Sequence, residues 1–111
     1  MNDTVIDPHV FDELQATAGA DFVVELVDTF LEEAPPMLAE LRAALASGAR
    51  ERFRRAAHSL KTNAQTFGAM QLAAQARTLE LGGMPTDAAA VDALEAAYAR
   101  AASALKELAH G

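Results

Sequence analysis

The sequence predicts an all-α protein, an antiparallel up-and-down four-helix bundle with a short additional N-terminal helix. Hydrophobic residues make up 51% of the chain but aromatic residues only 5%, because much of the apolar content is alanine. Alanine is the strongest helix former and lets helices pack closely. Apolar residues also recur at helical spacing in successive segments, separated by most of the prolines and glycines. The 111 residues suffice for one hydrophobic core, so residues 1–111 are predicted to form a single domain.

The N-terminal helix is marked by standard start and stop signals. Asp7 is placed to cap it, Pro8 to occupy its first position, and Gly19 to end it. The second helix begins around Ala20 or Asp21, where an apolar stripe with helical spacing starts, and it extends to Ser47.

The second helix contains the pair Pro35-Pro36. Each proline disfavours the α conformation of the residue before it and lacks the N–H that a helix needs. The pair therefore predicts a break or a sharp kink within this helix.

Three more helices follow. One runs from about Ala49 to Phe67 and stops at Gly68, in the position of a C′ glycine. The next ends in the loop 82–85, and the last is capped by Thr86. The apolar positions of the last helix alternate at three and four residues, as in antiparallel bundles: Val91, Leu94, Tyr98, Ala101, Leu105 and Leu108.

Composition and charge exclude several classes of function. The net charge of −7 and the pI near 4.8 argue against nucleic acid as a partner, since phosphate binding needs a cationic surface. No apolar run approaches the ~18 residues of a membrane span, and no signal peptide is evident. The absence of cysteine excludes disulfides and thiolate chemistry, in keeping with a reducing compartment. We therefore expect a cytoplasmic monomer with no membrane association.

His58 is the candidate reactive residue. At about 100° per residue, the apolar residues of its helix collect on one side and His58 points roughly 140° away from Phe53. It shares a polar stripe with Arg54, Lys61, Thr62 and Gln65. The cations Arg54 and Lys61 are expected to disfavour ring protonation by like-charge repulsion, which leaves a nucleophilic nitrogen, and to stabilise a transferring phosphoryl group.

The charge of this helix is unusual for so acidic a protein. Five of the nine basic residues of the chain lie in it: Arg50, Arg52, Arg54, Arg55 and Lys61. Such a helix is suited to an acidic protein surface or a phosphoryl group.

The segment around His58 resembles a known signature. His58-Ser59-Leu60-Lys61, followed at fixed spacing by Phe67-Gly68-Ala69 and then by Leu72-Ala73 and Leu79-Glu80, is similar to that of histidine-containing phosphotransfer (HPt) domains. These are four-helix-bundle modules of two-component phosphorelays. The preceding segment from Phe30 to Leu45 resembles the second helix of the family, so the similarity covers nearly the whole chain.

The resemblance implies roles for individual residues. His58 is the phosphoryl acceptor and donor through its outer ring nitrogen, and Lys61 matches the lysine beside the phosphohistidine. Gln65 is placed to orient the ring or a phosphate oxygen. Gly68 matches the glycine that ends the helix and lets the next helix pack closely. Glu80 falls where several members carry a polar residue, often glutamine, that faces the histidine.

Thr62 departs from the family pattern, in which the residue after the lysine is commonly glycine or another small residue. Threonine is larger, and its hydroxyl can bond the carbonyl of His58 one turn back. We expect a tolerated variation that bears on the geometry of the partner.

The first two helices carry apolar residues that are most simply read as core. In the family, the same region supplies an apolar patch beside the histidine that contacts a receiver domain. One or two of the following residues are therefore expected to be exposed for docking: Val10, Leu14, Phe22 and Val23.

By the same resemblance the protein is a passive relay. The chain has no glycine-rich nucleotide loop, so it is not expected to be an enzyme that phosphorylates itself. A response-regulator receiver domain, with its own Mg²⁺ and phospho-aspartate, would pass the phosphoryl group to His58 and a second receiver would take it. A hybrid histidine kinase would supply the phosphoryl group that enters the relay. No cofactor or metal is expected on this chain.

Other interpretations are weaker. A helical adaptor that binds a receiver without carrying phosphate stays open. A histidine-kinase dimerisation helix is disfavoured because Ser59 follows His58 where kinases usually carry an acidic residue. A di-metal bundle would require Glu-x-x-His, but Arg55 stands in place of the glutamate. His9 and His110 have no patterned neighbours and are expected to be incidental. The Met1 start and the compact length favour a free-standing protein.

Overall fold

The computed structural model describes residues 5–111 and forms five helices from them. These are α1 (Pro8–Ala18), α2 (Ala20–Ser47), α3 (Arg50–Thr66), α4 (Met70–Leu81) and α5 (Ala89–His110). Consecutive long helices are joined by short loops and pack side by side, and α5 contacts both α2 and α4 to complete the bundle. The short α1 packs on α2. The predicted all-α bundle with an extra N-terminal helix is confirmed.

The core is made by one face of each helix. No polar or charged residue is buried within residues 5–111. Phe30 lies at the centre of an aromatic cluster, with its ring centroid 5.3 Å from that of Phe67 and 5.9 Å from that of Tyr98. Nor does any helix in this range have the length and apolarity needed to cross a bilayer.

The predicted break at Pro35-Pro36 is wrong, because α2 continues as one helix through both prolines. Without an N–H on Pro35, the carbonyl of Leu31 loses its normal partner one turn along. The Tyr98 hydroxyl of α5 lies 3.5 Å from that carbonyl oxygen and donates to it. The side chains of both prolines are exposed, so their rings cause no clash in the core.

The end of α3 holds α1 in place. Gly68 has a φ of 79°, and the N–H groups of Gly68 and Ala69 cap carbonyls of the last turn of α3. The Asp7 N–H donates to the Gly68 carbonyl at 2.8 Å. A Cβ added at Gly68 would lie 2.9 Å from Val10 Cβ. Gly68 thus ends α3 as expected, and the helix that lies against its bare Cα is α1, which the sequence did not indicate.

Of the two predicted N-caps, one is present in the structure and the other is not. Asp7 caps α1 as expected, since its side chain accepts from the His9 N–H at 2.9 Å. Thr86 does not cap α5, which begins later, at Ala89. The side chain of Asp87 accepts from the Ala89 N–H instead, at 2.9 Å.

Candidate functional site

His58 lies on the outside of α3, with 54% of its side chain exposed. The opposite face of α3 is buried, through Phe53, Ala56, Ala57, Leu60 and Ala64. The outward direction predicted from the helical phase is therefore correct.

The imidazole of His58 is held by a carboxylate from the neighbouring helix. Glu80 of α4 places its Oε2 2.7 Å from Nδ1 of the ring, while only 8% of the Glu80 side chain is exposed. An ionised carboxylate only accepts hydrogen bonds, so Nδ1 is the donor in this contact. In a neutral ring this assigns the proton to Nδ1 and leaves the lone pair on Nε2.

Lys61 supports the same carboxylate from the other side. Its Nζ lies 2.9 Å from Glu80 Oε1, and 16% of its side chain is exposed. This ion pair places the Lys61 ammonium against the covered Oε1, which has no other polar partner within residues 5–111. The expectation that Lys61 stands on an exposed stripe is wrong, because α4 packs over this part of α3 and covers it.

The pKa of Glu80 lies below its ordinary value. The largest cause is the contact with Lys61; partial burial opposes it, and the contact with His58 adds to it. The carboxylate is therefore ionised and acceptor-only at neutral pH. His58 therefore faces an anion that is itself paired with Lys61, a carboxylate that the prediction of two neighbouring like charges did not include.

Arg54 is paired within its own helix. It forms an ion pair with Glu51 one turn earlier on α3, which lowers the pKa of the Glu51 carboxyl. Arg52 is neutralised in the same way by Glu40 of α2, through two bonds of 2.7 and 2.9 Å. Within residues 5–111, three of the five basic residues of this helix are thus paired with carboxylates: Arg52, Arg54 and Lys61.

Thr62 and Gln65 are exposed on α3. Within the described part of the chain, no hydrogen bond joins either side chain to His58. The predicted bond from the Thr62 hydroxyl is absent there, and the Thr62 carbonyl instead accepts from the Thr66 hydroxyl at 3.1 Å.

The predicted docking residues have different environments. Phe22 is 50% exposed, whereas Val23 is fully buried in the core at 0% and cannot contact a partner. Val10 and Leu14 are partly buried in α1. Met70, at the start of α4, is 49% exposed and was not predicted.

A groove between α2 and α3 was also missed. It has a volume of about 340 Å³ and is lined by Pro36, Met37, Glu40, Arg52, Arg55, Ala56 and Ser59. The sequence does indicate one side of this groove, because Arg52, Arg55 and Ser59 are spaced by three and four residues and so share one face of α3.

The remaining candidates add no second site. Residues 5–111 contain no cluster of three or more histidine, aspartate or glutamate side chains that could hold a metal ion. His110 contacts Asp28 at 2.8 Å near the end of α5, with both side chains about half exposed. The backbone N–H of His9 takes part in the cap of α1.

The chain is similar to a known protein family and to a solved structure. A family model described as "Hpt domain" matches residues 25–110. The crystal structure of histidine-containing phosphotransfer protein B (HptB) from Pseudomonas aeruginosa PAO1 matches with a TM-score of 0.85 and 26% identity, over 96% of this chain and 95% of that one. Among curated proteins no match is found. The family match spans well over half of the chain and includes α3 and α4, which carry His58 and Glu80.

Proposed function

Because the chain belongs to the Hpt domain family, whose members are phosphotransfer modules and not kinases, we propose that it is a phosphorelay intermediate that carries the phosphoryl group on His58. It accepts the group from the phospho-aspartate of one receiver domain and passes it to the aspartate of another. The observation that supports this most directly is the contact between Glu80 and Nδ1, which leaves Nε2 as the free nucleophilic nitrogen of an exposed ring.

The transfer balances without a separate base. The lone pair of Nε2 forms the N–P bond while the bond from phosphorus to the aspartyl oxygen breaks. The leaving carboxylate of the receiver takes that electron pair. No proton moves at Nε2, because the ring proton stays on Nδ1, and the phosphorylated ring carries a positive charge. The reverse sequence returns the group to a receiver.

Glu80 is the positioning residue in this scheme. It fixes the rotation of the ring and its tautomer, as carboxylates behind reactive or metal-bound histidines do. Its negative charge also lies against the ring when the ring becomes cationic. Lys61 keeps that carboxylate in place and ionised.

The remaining machinery belongs to the partner. The receiver supplies the phospho-aspartate and, we expect, the Mg²⁺ that neutralises charge on the transferring group. A hybrid histidine kinase would load the first receiver. The chain contributes a rigid acceptor whose geometry is set by α3 and α4.

The experiment is transfer from receivers labelled with ³²P. Wild type is compared with His58→Gln, and His9→Gln and His110→Gln serve as matched controls, since they remove the other two histidines. The expected result is label that is stable to base and labile to acid in wild type and both controls, and absent in His58→Gln.

Two outcomes would contradict the proposal. Label that persists in His58→Gln would place the phosphoryl group elsewhere. Receivers that bind the protein but leave it unlabelled would instead favour a helical adaptor.

A further inference from the structure

The groove between α2 and α3 opens beside His58, on the side opposite to Glu80 and Lys61. Ser59, which follows His58 in the chain, lines its edge. On a regular helix Arg55 lies about 60° around the axis from His58 and about 4.5 Å along it. A protein that reaches His58 with its own reactive group therefore lies over this groove.

The groove combines an apolar floor with a charged rim. Pro36, Met37 and Ala56 supply apolar surface, while Glu40, Arg52 and Arg55 surround it. Exposed apolar surface rimmed by polar groups is typical of a binding site for another protein.

The charges of the rim are not equivalent. Arg52 is bound in two places by Glu40, so this pair carries no net charge. Arg55 is exposed and makes no ion pair within residues 5–111. It is therefore a cation without a bonded carboxylate at the groove of a protein whose net charge is −7, although its charge also acts on Glu40 and Glu51 nearby.

We propose that this groove sets the choice of receiver domain, by accepting an apolar side chain that is flanked by a carboxylate placed against Arg55. The inference rests on the proposed phosphorelay function and names the chemistry of the partner. The net charge of −7 disfavours an acidic segment of a receiver overall, so a cation without a bonded carboxylate beside the apolar surface favours its placement there. Arg55 acts on docking and does not take part in the chemical step.

The test uses two changes in the groove, each with a matched control. Arg55→Glu reverses the charge of this cation, and Arg100→Glu makes the same change on the exposed face of α5. Pro36→Glu places a carboxylate on the apolar floor. Pro35→Glu adds the same charge and restores the same backbone N–H one residue away, outside the lining of the groove. Both prolines are exposed, so neither change disturbs the core.

Two phosphoryl donors separate docking from chemistry. One is a ³²P-labelled receiver at concentrations far below saturation, and the other is phosphoramidate, a small donor that needs no docking surface. With the receiver, Arg55→Glu is expected to lower the rate about tenfold and Pro36→Glu several-fold, while both controls stay within about twofold of wild type. With phosphoramidate, all four variants match wild type, and at saturating receiver the loss largely disappears.

The possible failures are distinct. Groove variants that transfer from the receiver as fast as their controls overturn the docking site and leave the phosphorelay function standing. Groove variants that also lose labelling by phosphoramidate overturn the docking site as well, because the change would then act on His58 itself. A wild type that takes no label on His58 from any receiver refutes the proposed function instead.

Discussion

Two histidines of this protein contact carboxylates at almost the same distance, yet their surroundings differ. His58 Nδ1 lies 2.7 Å from Glu80, and His110 Nε2 lies 2.8 Å from Asp28. Glu80 is 8% exposed and has a second partner in Lys61, whereas Asp28 is 50% exposed. Water competes for an exposed carboxylate but hardly for a covered one. A fixed ring therefore requires a shielded and supported carboxylate, and a short distance alone does not provide it.

The two contacts also differ in what they leave free. Glu80 occupies Nδ1 and leaves Nε2 of His58 available, while Asp28 occupies Nε2 of His110. Nε2 is the ring atom farther from the backbone, so it is the one that a docked partner reaches more easily. The contact of His110 is suited to a surface hydrogen bond, and that of His58 to a phosphoryl acceptor.

The largest effect is expected from removal of the supported carboxylate. Glu80→Ala releases the ring of His58 and removes the charge that stabilises the phosphorylated state. Loss of such a positioning partner typically costs 10–100-fold, so we expect the rate of transfer from a labelled receiver to fall by about that factor.

Asp28→Ala is the matched control and is expected to leave the transfer rate within about twofold of wild type. Glu80→Gln separates hydrogen bonding from charge: its amide oxygen still accepts from Nδ1, so it should transfer at a rate between those of wild type and Glu80→Ala. Equal rates for Glu80→Ala and Asp28→Ala would show that the two contacts do not differ in function.

A smaller effect is expected from removal of the support behind Glu80. Lys61→Ala leaves a largely covered carboxylate without its main counter-charge, so the pKa of Glu80 should rise towards its ordinary value. We expect transfer to slow several-fold and the melting temperature to fall by several degrees, because a covered ion loses its partner.

Lys106→Ala, on the exposed surface of α5, controls for the loss of one positive charge. It should change neither the transfer rate nor the melting temperature. Lys61→Ala with full stability and full activity would mean that His58 holds Glu80 in place by itself.

The sequence predicted this site only partly, for physical reasons that individual residues make clear. Helical phase relates a residue to its own helix, and it correctly put His58 on the outside. It says nothing about the neighbouring helix, and so it misjudged Lys61, which α4 covers. Glu80 was found because the resemblance placed it opposite His58, since no pattern within α3 points to it.

The same limit applies to the fold. Periodicity and capping signals located all five helices, because both are local. In α2, which continues through Pro35-Pro36, the carbonyl freed by the first proline accepts from Tyr98, a residue distant in sequence. Local rules therefore predicted a break where a tertiary contact compensates.

A difference in acid stability is expected from the lowered pKa of Glu80. A carboxyl whose pKa is lower in the folded state stabilises the protein above the unfolded value, here near 4.5, and this contribution is lost as pH falls through the folded pKa. The measurement compares His58→Gln with the double variant His58→Gln/Glu80→Gln, so that the ring does not titrate.

In urea denaturation from about pH 6 down to pH 3, the single variant should be the more stable at the upper end, and the difference should shrink as pH falls. The other carboxyls with lowered pKa values are common to both variants and cancel: Glu40, Glu51 and Glu95. A difference that stayed constant or grew towards acid would show that Glu80 is not stabilised as an anion.

The smallest effect belongs to the exposed pair. A double-mutant cycle with His110→Ala and Asp28→Ala, followed by urea denaturation, should give a coupling of less than about 1 kcal/mol, because half-exposed partners are solvated and screened. The corresponding cycle with His58→Ala and Glu80→Ala should give the larger coupling, since the carboxylate is covered. If the His110 cycle were the larger of the two, shielding would not be what distinguishes these contacts, and the role given to α4 in fixing His58 would lose its physical basis.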